Sequence, residues 1–138
     1  MKDHISIKHK DNMSFEVNVH GYKMMIDTPA DIGGTNEGPG PKSLMLVALA
    51  GCTGMDIVSL LRKMKIYYDD LRINVEGNIT DEHPKHFDSM HICYFIKGKN
   101  IPVEKVKAAI EMSLTKFCGV SYTYKQGLTL THELIIEE

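Results

Sequence analysis

The sequence predicts one α+β domain in which short strands flank a long apolar helix. Apolar and polar residues alternate near both ends of the chain, which is the pattern of half-exposed strands. Between them, residues 42–65 form a run that is apolar on nearly every side, and a later stretch carries apolar residues at helical spacing. We therefore expect the order β-β-β-α-β-β-α-β within a single domain of residues 1–138.

The N-terminal segment, residues 1–27, predicts a meander of three short antiparallel strands. Asp11-Asn12 and His20-Gly21 have the residue types of tight turns, and they separate three stretches of alternating pattern. The alternating apolar positions of the first two strands are Ile5, Ile7, Phe15, Val17 and Val19.

Residues 28–41 predict a long loop that leads into the helix. Four glycines and three prolines fall within these fourteen residues, which disfavours regular structure. Loops of this length in a compact domain are usually functional or form interfaces. We therefore expect this segment to have a role beyond connection.

The central helix is expected over residues 42–65. It follows Pro41, and positive side chains return near its end, where they favour the helix dipole. A helix with no polar face is expected to run through a core and to take Cys52 with it. Gly51 and Gly54 flank this cysteine, and each costs about 1 kcal/mol relative to alanine. Either another element crosses the helix closely here, or a ligand reaches it.

The C-terminal segment, residues 71–138, predicts two strands, a second helix and a closing strand. Leu71, Ile73 and Val75 alternate, and a second strand runs from Phe87 to Ile96, so a hairpin is the simplest pairing. The second helix begins at Pro102, where the missing amide N–H carries no penalty, and ends at Cys118-Gly119. The closing strand contains Leu128, Leu130 and the run Leu134-Ile135-Ile136.

Composition and charge narrow the class of function. Hydrophobic residues make up 43% of the chain and charged residues 25%, an ordinary globular balance. The formal net charge of -2, with no basic cluster, argues against a nucleic-acid partner. The first residues lack the apolar core of a signal peptide, and the run from Leu44 to Met55 is too short to span a bilayer. We therefore expect a cytoplasmic protein with no membrane partner.

The three cysteines do not form a disulfide framework, because they are odd in number and widely spaced. Spacing alone makes Cys52 and Cys118 two unrelated buried thiols, since free cysteine is among the most buried residue types. Cys93 is interpreted as structural because it lies within a strand and has no motif around it. No histidine pairs with a cysteine at zinc spacing, so we expect no metal site.

Four segments, taken together, resemble the OsmC/Ohr family and within it the YhfA-like branch. They are Gly33 to Pro41, Leu46 to Met64, Glu82 to Lys85, and Phe117 to Ser121. The resemblance covers nearly the whole chain, and its most specific part is the two cysteines in their helical contexts. It implies an intertwined homodimer in which antiparallel sheets wrap around paired central helices, with sites at the dimer interface.

The resemblance also implies a peroxidase. In that reading Cys52 attacks an organic hydroperoxide as a thiolate and becomes a sulfenic acid, and Cys118 resolves it to a disulfide. A dithiol reductant of lipoyl or thioredoxin type then restores both thiols, and no cofactor is needed.

The sequence departs from the family pattern where the cysteine should be activated. Family peroxidases carry an arginine in the N-terminal half and a glutamate just after the proline that opens the helix. Here no arginine precedes Arg62, and Lys42 follows Pro41. Glu37 and Lys42 are the candidate activating or orienting residues. The alternative function is a non-peroxidatic protein that binds a small apolar or thiol-reactive ligand at the dimer interface.

Overall fold

A computed structural model describes residues 1–138 and confirms the mixed α+β architecture. The six strands and the first two α-helices follow in the predicted order, and a third, short α-helix comes between the second helix and the last strand. The strands are β1 (Ser6–Asp11), β2 (Ser14–Val19), β3 (Tyr22–Ile26), β4 (Asp70–Ile79), β5 (Phe87–Lys97) and β6 (Thr129–Glu137). The helices are α1 (Pro41–Lys63), α2 (Val103–Met112) and α3 (Gly119–Tyr124), with a 3-10 turn at Ala30–Ile32 and a π-helical turn at Ser113–Phe117. The chain divides into two compact units, Met1–Met45 and Leu46–Glu138, and the single-domain assignment stays a prediction.

The first unit contains the predicted meander. Its strands pair in the order β1-β2-β3, and both pairings are antiparallel. The turns fall where the sequence places them, because Asn12, His20 and Gly21 all adopt positive φ angles of 51°, 53° and 88°. Turn chemistry therefore fixed the register of this sheet.

The glycine- and proline-rich loop of the first unit is anchored on Asp27. This buried carboxylate accepts backbone N–H groups from Thr28 at 2.7 Å, Thr35 at 3.3 Å and Glu37 at 3.1 Å, and the Thr35 hydroxyl at 3.0 Å. The Glu37 and Thr28 N–H groups contribute most to lowering the pKa of Asp27 below its ordinary 3.8.

Replacing Asp27 with asparagine is expected to destabilise the protein at neutral pH. The lowered pKa means that the carboxylate stabilises the fold above its unfolded pKa of about 3.8, and that this contribution is lost as pH falls through the folded value. Urea unfolding of wild type and Asp27→Asn over a pH series should show a stability gap that narrows below about pH 4. A gap that stays constant into strong acid would contradict this anchoring role.

The sheet of the second unit has the order β4-β5-β6. β4 and β5 form the predicted antiparallel hairpin, but β6 runs parallel to β5, which corrects the prediction of antiparallel sheets throughout. The chain leaves β5 at Lys97 and passes through α2 and α3 before it begins β6 at Thr129 opposite Ser89. Such a helical crossover returns the chain to the starting end of the neighbouring strand, whereas alternation in sequence does not specify strand direction.

The core of the second unit lies between one face of α1, the inner face of β5 and helix α2. It includes Leu49, Ile57 and Leu61 of α1, Met90, Ile92, Tyr94 and Ile96 of β5, and Val106, Ala109 and Ile110 of α2. α1 ends at Lys63, two residues earlier than predicted, and Lys65 takes a positive φ of 58° just beyond it.

Helix α1 is buried on one face only, so the expectation of burial on all sides is wrong for a single chain. Val47 is 63% exposed and Met55 76% exposed, although both are apolar. By length and composition alone α1 could cross a membrane, but the core helix of a soluble protein passes the same test. The packed face of α1, with Leu49 and Ile57 in the core cluster, fits a core helix.

Candidate functional site

Cys52 lies in the middle of α1 and is partly exposed. Of its two flanking glycines, Gly54 faces strand β4, because an added Cβ would meet Ile73 Cδ1 at 3.0 Å. At Gly51 an added Cβ would meet nothing within 4 Å. The close approach expected from sequence is therefore made by a strand at Gly54, whereas the helix surface at Gly51 is open.

Cys118 lies between the π-helical turn and α3 and is 3% exposed. Its backbone N–H donates to Ser113 O at 2.7 Å, a bond that closes the π-helical turn. Its Sγ accepts the backbone N–H of Ser121 at 3.4 Å, and the Ser121 hydroxyl donates to Cys118 O at 3.0 Å. These bonds fix both the backbone and the sulfur of Cys118.

The fold brings Cys52 and Cys118 together, although they are far apart in sequence. The Cys118 thiol and the backbone N–H of Val120 both influence the pKa of Cys52, so both lie near its sulfur. Both cysteines are free thiols. The first turn of α3 thus places the Val120 N–H group near Cys52, and its Ser121 N–H group donates to the Cys118 sulfur.

The electrostatic environment raises the pKa of Cys52 above its ordinary 9.0. Burial is the largest cause, and the Cys118 thiol and the Asp56 carboxylate add to it, whereas the Val120 N–H acts in the opposite direction. The sequence, for its part, lacks the N-terminal arginine of the family pattern.

Comparison with known proteins identifies the fold and the family. The family model for OsmC-like proteins matches residues 34–133, which include both cysteines. The chain belongs to the OsmC-like family. The family predicted from the four sequence segments is thereby confirmed.

Individual relatives of this OsmC-like chain are distant. Protein YhfA of Escherichia coli K12 is 25% identical over 97 residues, 70% of this chain and 72% of YhfA. A hypothetical protein of Aquifex aeolicus VF5 has a TM-score of 0.83 at 23% identity, over 100% of this chain and 99% of that one. An organic hydroperoxide resistance protein, OsmC, of Legionella pneumophila has a TM-score of 0.70 at 16% identity, over 100% and 98%. At these identities the solved structures show the shared fold.

The two activating residues expected from sequence, Glu37 and Lys42, belong to the first unit of this OsmC-like chain. Glu37 is exposed, and its backbone N–H is bonded to Asp27. Lys42 is exposed in the first turn of α1. The roles of Glu37 and Lys42 stay predictions.

A buried chain of side-chain hydroxyls beside the cysteines was missed by sequence reasoning. Thr53 Oγ1 lies 2.7 Å from Tyr94 Oη and 2.8 Å from Ser113 Oγ, and Ser113 Oγ donates to Asp56 Oδ2 at 2.9 Å. Tyr94, Thr53, Ser113 and Asp56 are called the hydroxyl chain below. Burial raises the pKa of Tyr94 to about 12. Sequence reasoning could have begun from Thr53, which lies next to Cys52 on an apolar helix, because a buried hydroxyl needs a hydrogen-bond partner.

Cys93 lies on the opposite face of β5 from the core residue Tyr94, since successive strand residues alternate. Burial and contact with the Glu133 carboxylate raise the pKa of Cys93 above its ordinary 9.0. The thiol lines a cavity of about 650 Å³ with Glu133 and His91. Neither other cysteine lines this cavity, and the structural interpretation of Cys93 stays a prediction.

Proposed function

We propose that this OsmC-like protein reduces organic hydroperoxides through a disulfide cycle of Cys52 and Cys118. The observation that carries the proposal is that the fold brings the Cys118 thiol close enough to Cys52 to raise its pKa. A relative of the same fold, from Legionella pneumophila, is an organic hydroperoxide resistance protein, which supports this substrate class.

The cycle has three balanced steps. The Cys52 thiolate attacks the outer oxygen of ROOH, the O–O bond breaks, and the products are the Cys52 sulfenic acid and, after protonation, ROH. The Cys118 thiolate attacks the sulfenic sulfur and displaces hydroxide, which leaves as water, so the Cys52–Cys118 disulfide forms. A dithiol reductant is then oxidised to its own disulfide and returns both cysteines to thiols. Cysteines that cycle in this way suit a reducing cytoplasmic compartment.

Backbone N–H groups support both sulfurs in this cycle. The Val120 N–H favours negative charge on Cys52, and the Ser121 N–H donates to the Cys118 sulfur at 3.4 Å. Cys118 also lines a cavity of about 460 Å³ together with Lys116 and Lys125. This cavity is the proposed entry route for the dithiol reductant.

The first test of this cycle compares wild type with Cys118→Ser in stopped-flow reactions with cumene hydroperoxide. Loss of Cys118 is expected to leave oxidation of Cys52 within about threefold of wild type, because the resolving thiol does not attack the peroxide. Turnover with a dithiol reductant is expected to fall at least about tenfold, since the sulfenic acid no longer forms the internal disulfide. Unchanged turnover would contradict a resolving role for Cys118.

The exposed apolar face of α1 supports the proposed homodimer. Val47 and Met55 are exposed, and with Val58, Leu71 and others they line an apolar depression of about 610 Å³. Contiguous apolar surface of this kind marks interaction sites. A second copy of the same chain would cover this face and complete the burial that the sequence of α1 predicts.

Placing a charge on this face is expected to dissociate the dimer. Met55→Glu should convert the protein to monomers in sedimentation velocity, because burial of an unpaired carboxylate is strongly unfavourable. Met55→Leu keeps an apolar side chain and is the matched control, expected to remain dimeric. A Met55→Glu variant that stays dimeric would show that the interface lies elsewhere. A monomeric wild type would show that the proposed dimer does not form.

The raised pKa of Cys52 favours one second candidate function. A thiol held neutral is a poor nucleophile, so the protein would instead bind a small apolar or thiol-reactive ligand at the dimer interface. Equal, slow consumption of cumene hydroperoxide by wild type, Cys52→Ser and Cys118→Ser would support this candidate and remove the peroxidase.

A further inference from the structure

The hydroxyl chain has one direction of hydrogen bonding, which follows from counting protons. The Asp56 carboxylate only accepts, so Ser113 uses its single hydroxyl proton to donate to it. Ser113 Oγ must then accept from Thr53, and Thr53 Oγ1 must in turn accept from Tyr94. Hydrogen-bond donation therefore runs from the buried Tyr94 through Thr53 and Ser113 to the partly exposed Asp56 carboxylate. Each of the three hydroxyl protons is donated once. Such a fully satisfied buried network holds its members in one arrangement.

The hydroxyl chain ties the segment that carries Cys118 to the helix that carries Cys52. Ser113 Oγ is held at two points on α1, Thr53 Oγ1 at 2.8 Å and Asp56 Oδ2 at 2.9 Å. The carbonyl oxygen of the same Ser113 accepts the backbone N–H of Cys118 at 2.7 Å. Ser113 is therefore held on α1 through its side chain and is bonded to Cys118 through its carbonyl oxygen.

The segment that leads to Cys118 contains a π-helical turn, a backbone geometry that can position the residue that follows it. Ser113 opens the π-helical turn that ends at Phe117, and the bond from Cys118 N–H to Ser113 O spans five residues. Single π-helical turns occur frequently at functional sites, because the wider turn redirects the residues that follow. Here the redirected residue is Cys118.

Asp56, the acceptor at the end of the hydroxyl chain, is unfavourable for ionisation of the Cys52 thiol. Asp56 lies one helical turn after Cys52 on α1, and its charge disfavours a Cys52 thiolate. The Asp56 carboxylate must therefore make a contribution elsewhere that offsets its unfavourable effect on Cys52. Its hydrogen bond to Ser113 supplies one, because an acceptor oxygen at this end sets the direction of donation along the whole hydroxyl chain.

We propose that the hydroxyl chain positions Cys118 against Cys52 and so sets how readily the two thiols close to a disulfide. Ser113 and Asp56 are positioning residues, since they act on Cys118 through Ser113 and not on the peroxide. This inference rests on the proposed disulfide cycle, but it can be tested without any hydroperoxide. In a glutathione redox buffer, the two cysteines lose two electrons and two protons to oxidised glutathione, which becomes two reduced glutathione molecules.

The experiment measures the equilibrium constant for closing the Cys52–Cys118 disulfide, by alkylation and mass spectrometry of the protein in glutathione buffers. Asp56→Ala removes the acceptor from the partly exposed end of the hydroxyl chain, and Asp56→Asn keeps an acceptor oxygen but removes the charge. We expect Asp56→Ala and Ser113→Ala to lower the constant at least about tenfold, which corresponds to about 30 mV. Asp56→Asn should stay within about threefold of wild type, and its Cys52 pKa should be lower than that of wild type.

Ile110→Val is the control for a general loss of stability, because Ile110 is buried in the core on α2 but is not part of the hydroxyl chain. It should lower the melting temperature and leave the redox constant unchanged. Wild-type constants in both Asp56→Ala and Ser113→Ala would overturn the positioning role and leave the disulfide cycle intact. Failure of wild type to form the Cys52–Cys118 disulfide would overturn the cycle itself and the positioning role with it.

Discussion

Replacing Cys52 with serine is expected to abolish hydroperoxide reduction, with a loss of at least about a thousandfold in the rate of peroxide consumption. A serine hydroxyl cannot form the sulfenic acid, and at neutral pH it is not ionised. The change from sulfur to oxygen is small in volume, and Cys52 is only partly buried, so the fold should be retained. Stopped-flow measurement with cumene hydroperoxide and a dithiol reductant gives the rate.

Cys93→Ser is the matched control for this loss. Cys93 has the same side chain but lies on the other face of β5, against Glu133. It should retain the wild-type rate. If Cys93→Ser lost activity and Cys52→Ser kept it, the site would lie at the cavity around Cys93.

The rate of Cys52 oxidation is expected to rise steeply with pH. Burial raises the pKa of this thiol above 9.0, so at neutral pH only a small fraction is thiolate. Well below the pKa the thiolate fraction increases tenfold with each pH unit, which gives about a hundredfold rise between about pH 6 and pH 8. Single-turnover oxidation of the reduced protein across this range measures the effect.

Asp56→Asn gives the control for the pH profile. The Asp56 charge is one cause of the raised pKa, so its removal should shift the profile to lower pH without changing its slope. A wild-type rate that is already level at pH 7 would contradict the account. That result would require a positive charge at the Cys52 sulfur from outside residues 46–138, such as that of Lys42 or of a second copy of the chain.

The order of elements could be read from sequence because each depends on local pattern. Alternation marked the strands, and Pro41 together with an apolar run marked α1. The parallel direction of β6 could not be read in this way. It depends on the length and path of the crossover from Lys97 to Thr129, which is not a local property.

The one-sided burial of α1 differs from the sequence expectation for a different reason. Apolar residues such as Val47 and Met55 predict burial but do not say whether the covering surface belongs to the same chain. In the single chain they are exposed, and the proposed dimer accounts for them.

The candidate site was predictable only in part. Spacing left Cys52 and Cys118 as unrelated thiols, and the family resemblance was needed to pair them, whereas the structure shows them near enough for the Cys118 thiol to raise the pKa of Cys52. A hydroxyl on an apolar helix indicated that Thr53 needs a partner, but its partners were not predictable, because Thr53, Tyr94 and Ser113 lie on three separate elements and none belongs to a sequence motif. Only the packing of α1 against β5 and the π-helical turn brings these hydroxyls within bonding distance.

The central claim is that Cys52 and Cys118 form one redox pair, and disulfide mapping tests it most directly. Reduced protein is treated with one equivalent of cumene hydroperoxide, remaining thiols are alkylated, and peptides are identified by mass spectrometry. The account predicts a single internal disulfide joining Cys52 to Cys118, with Cys93 recovered as an alkylated thiol. Recovery of all three cysteines as thiols, or a disulfide that includes Cys93, would contradict it.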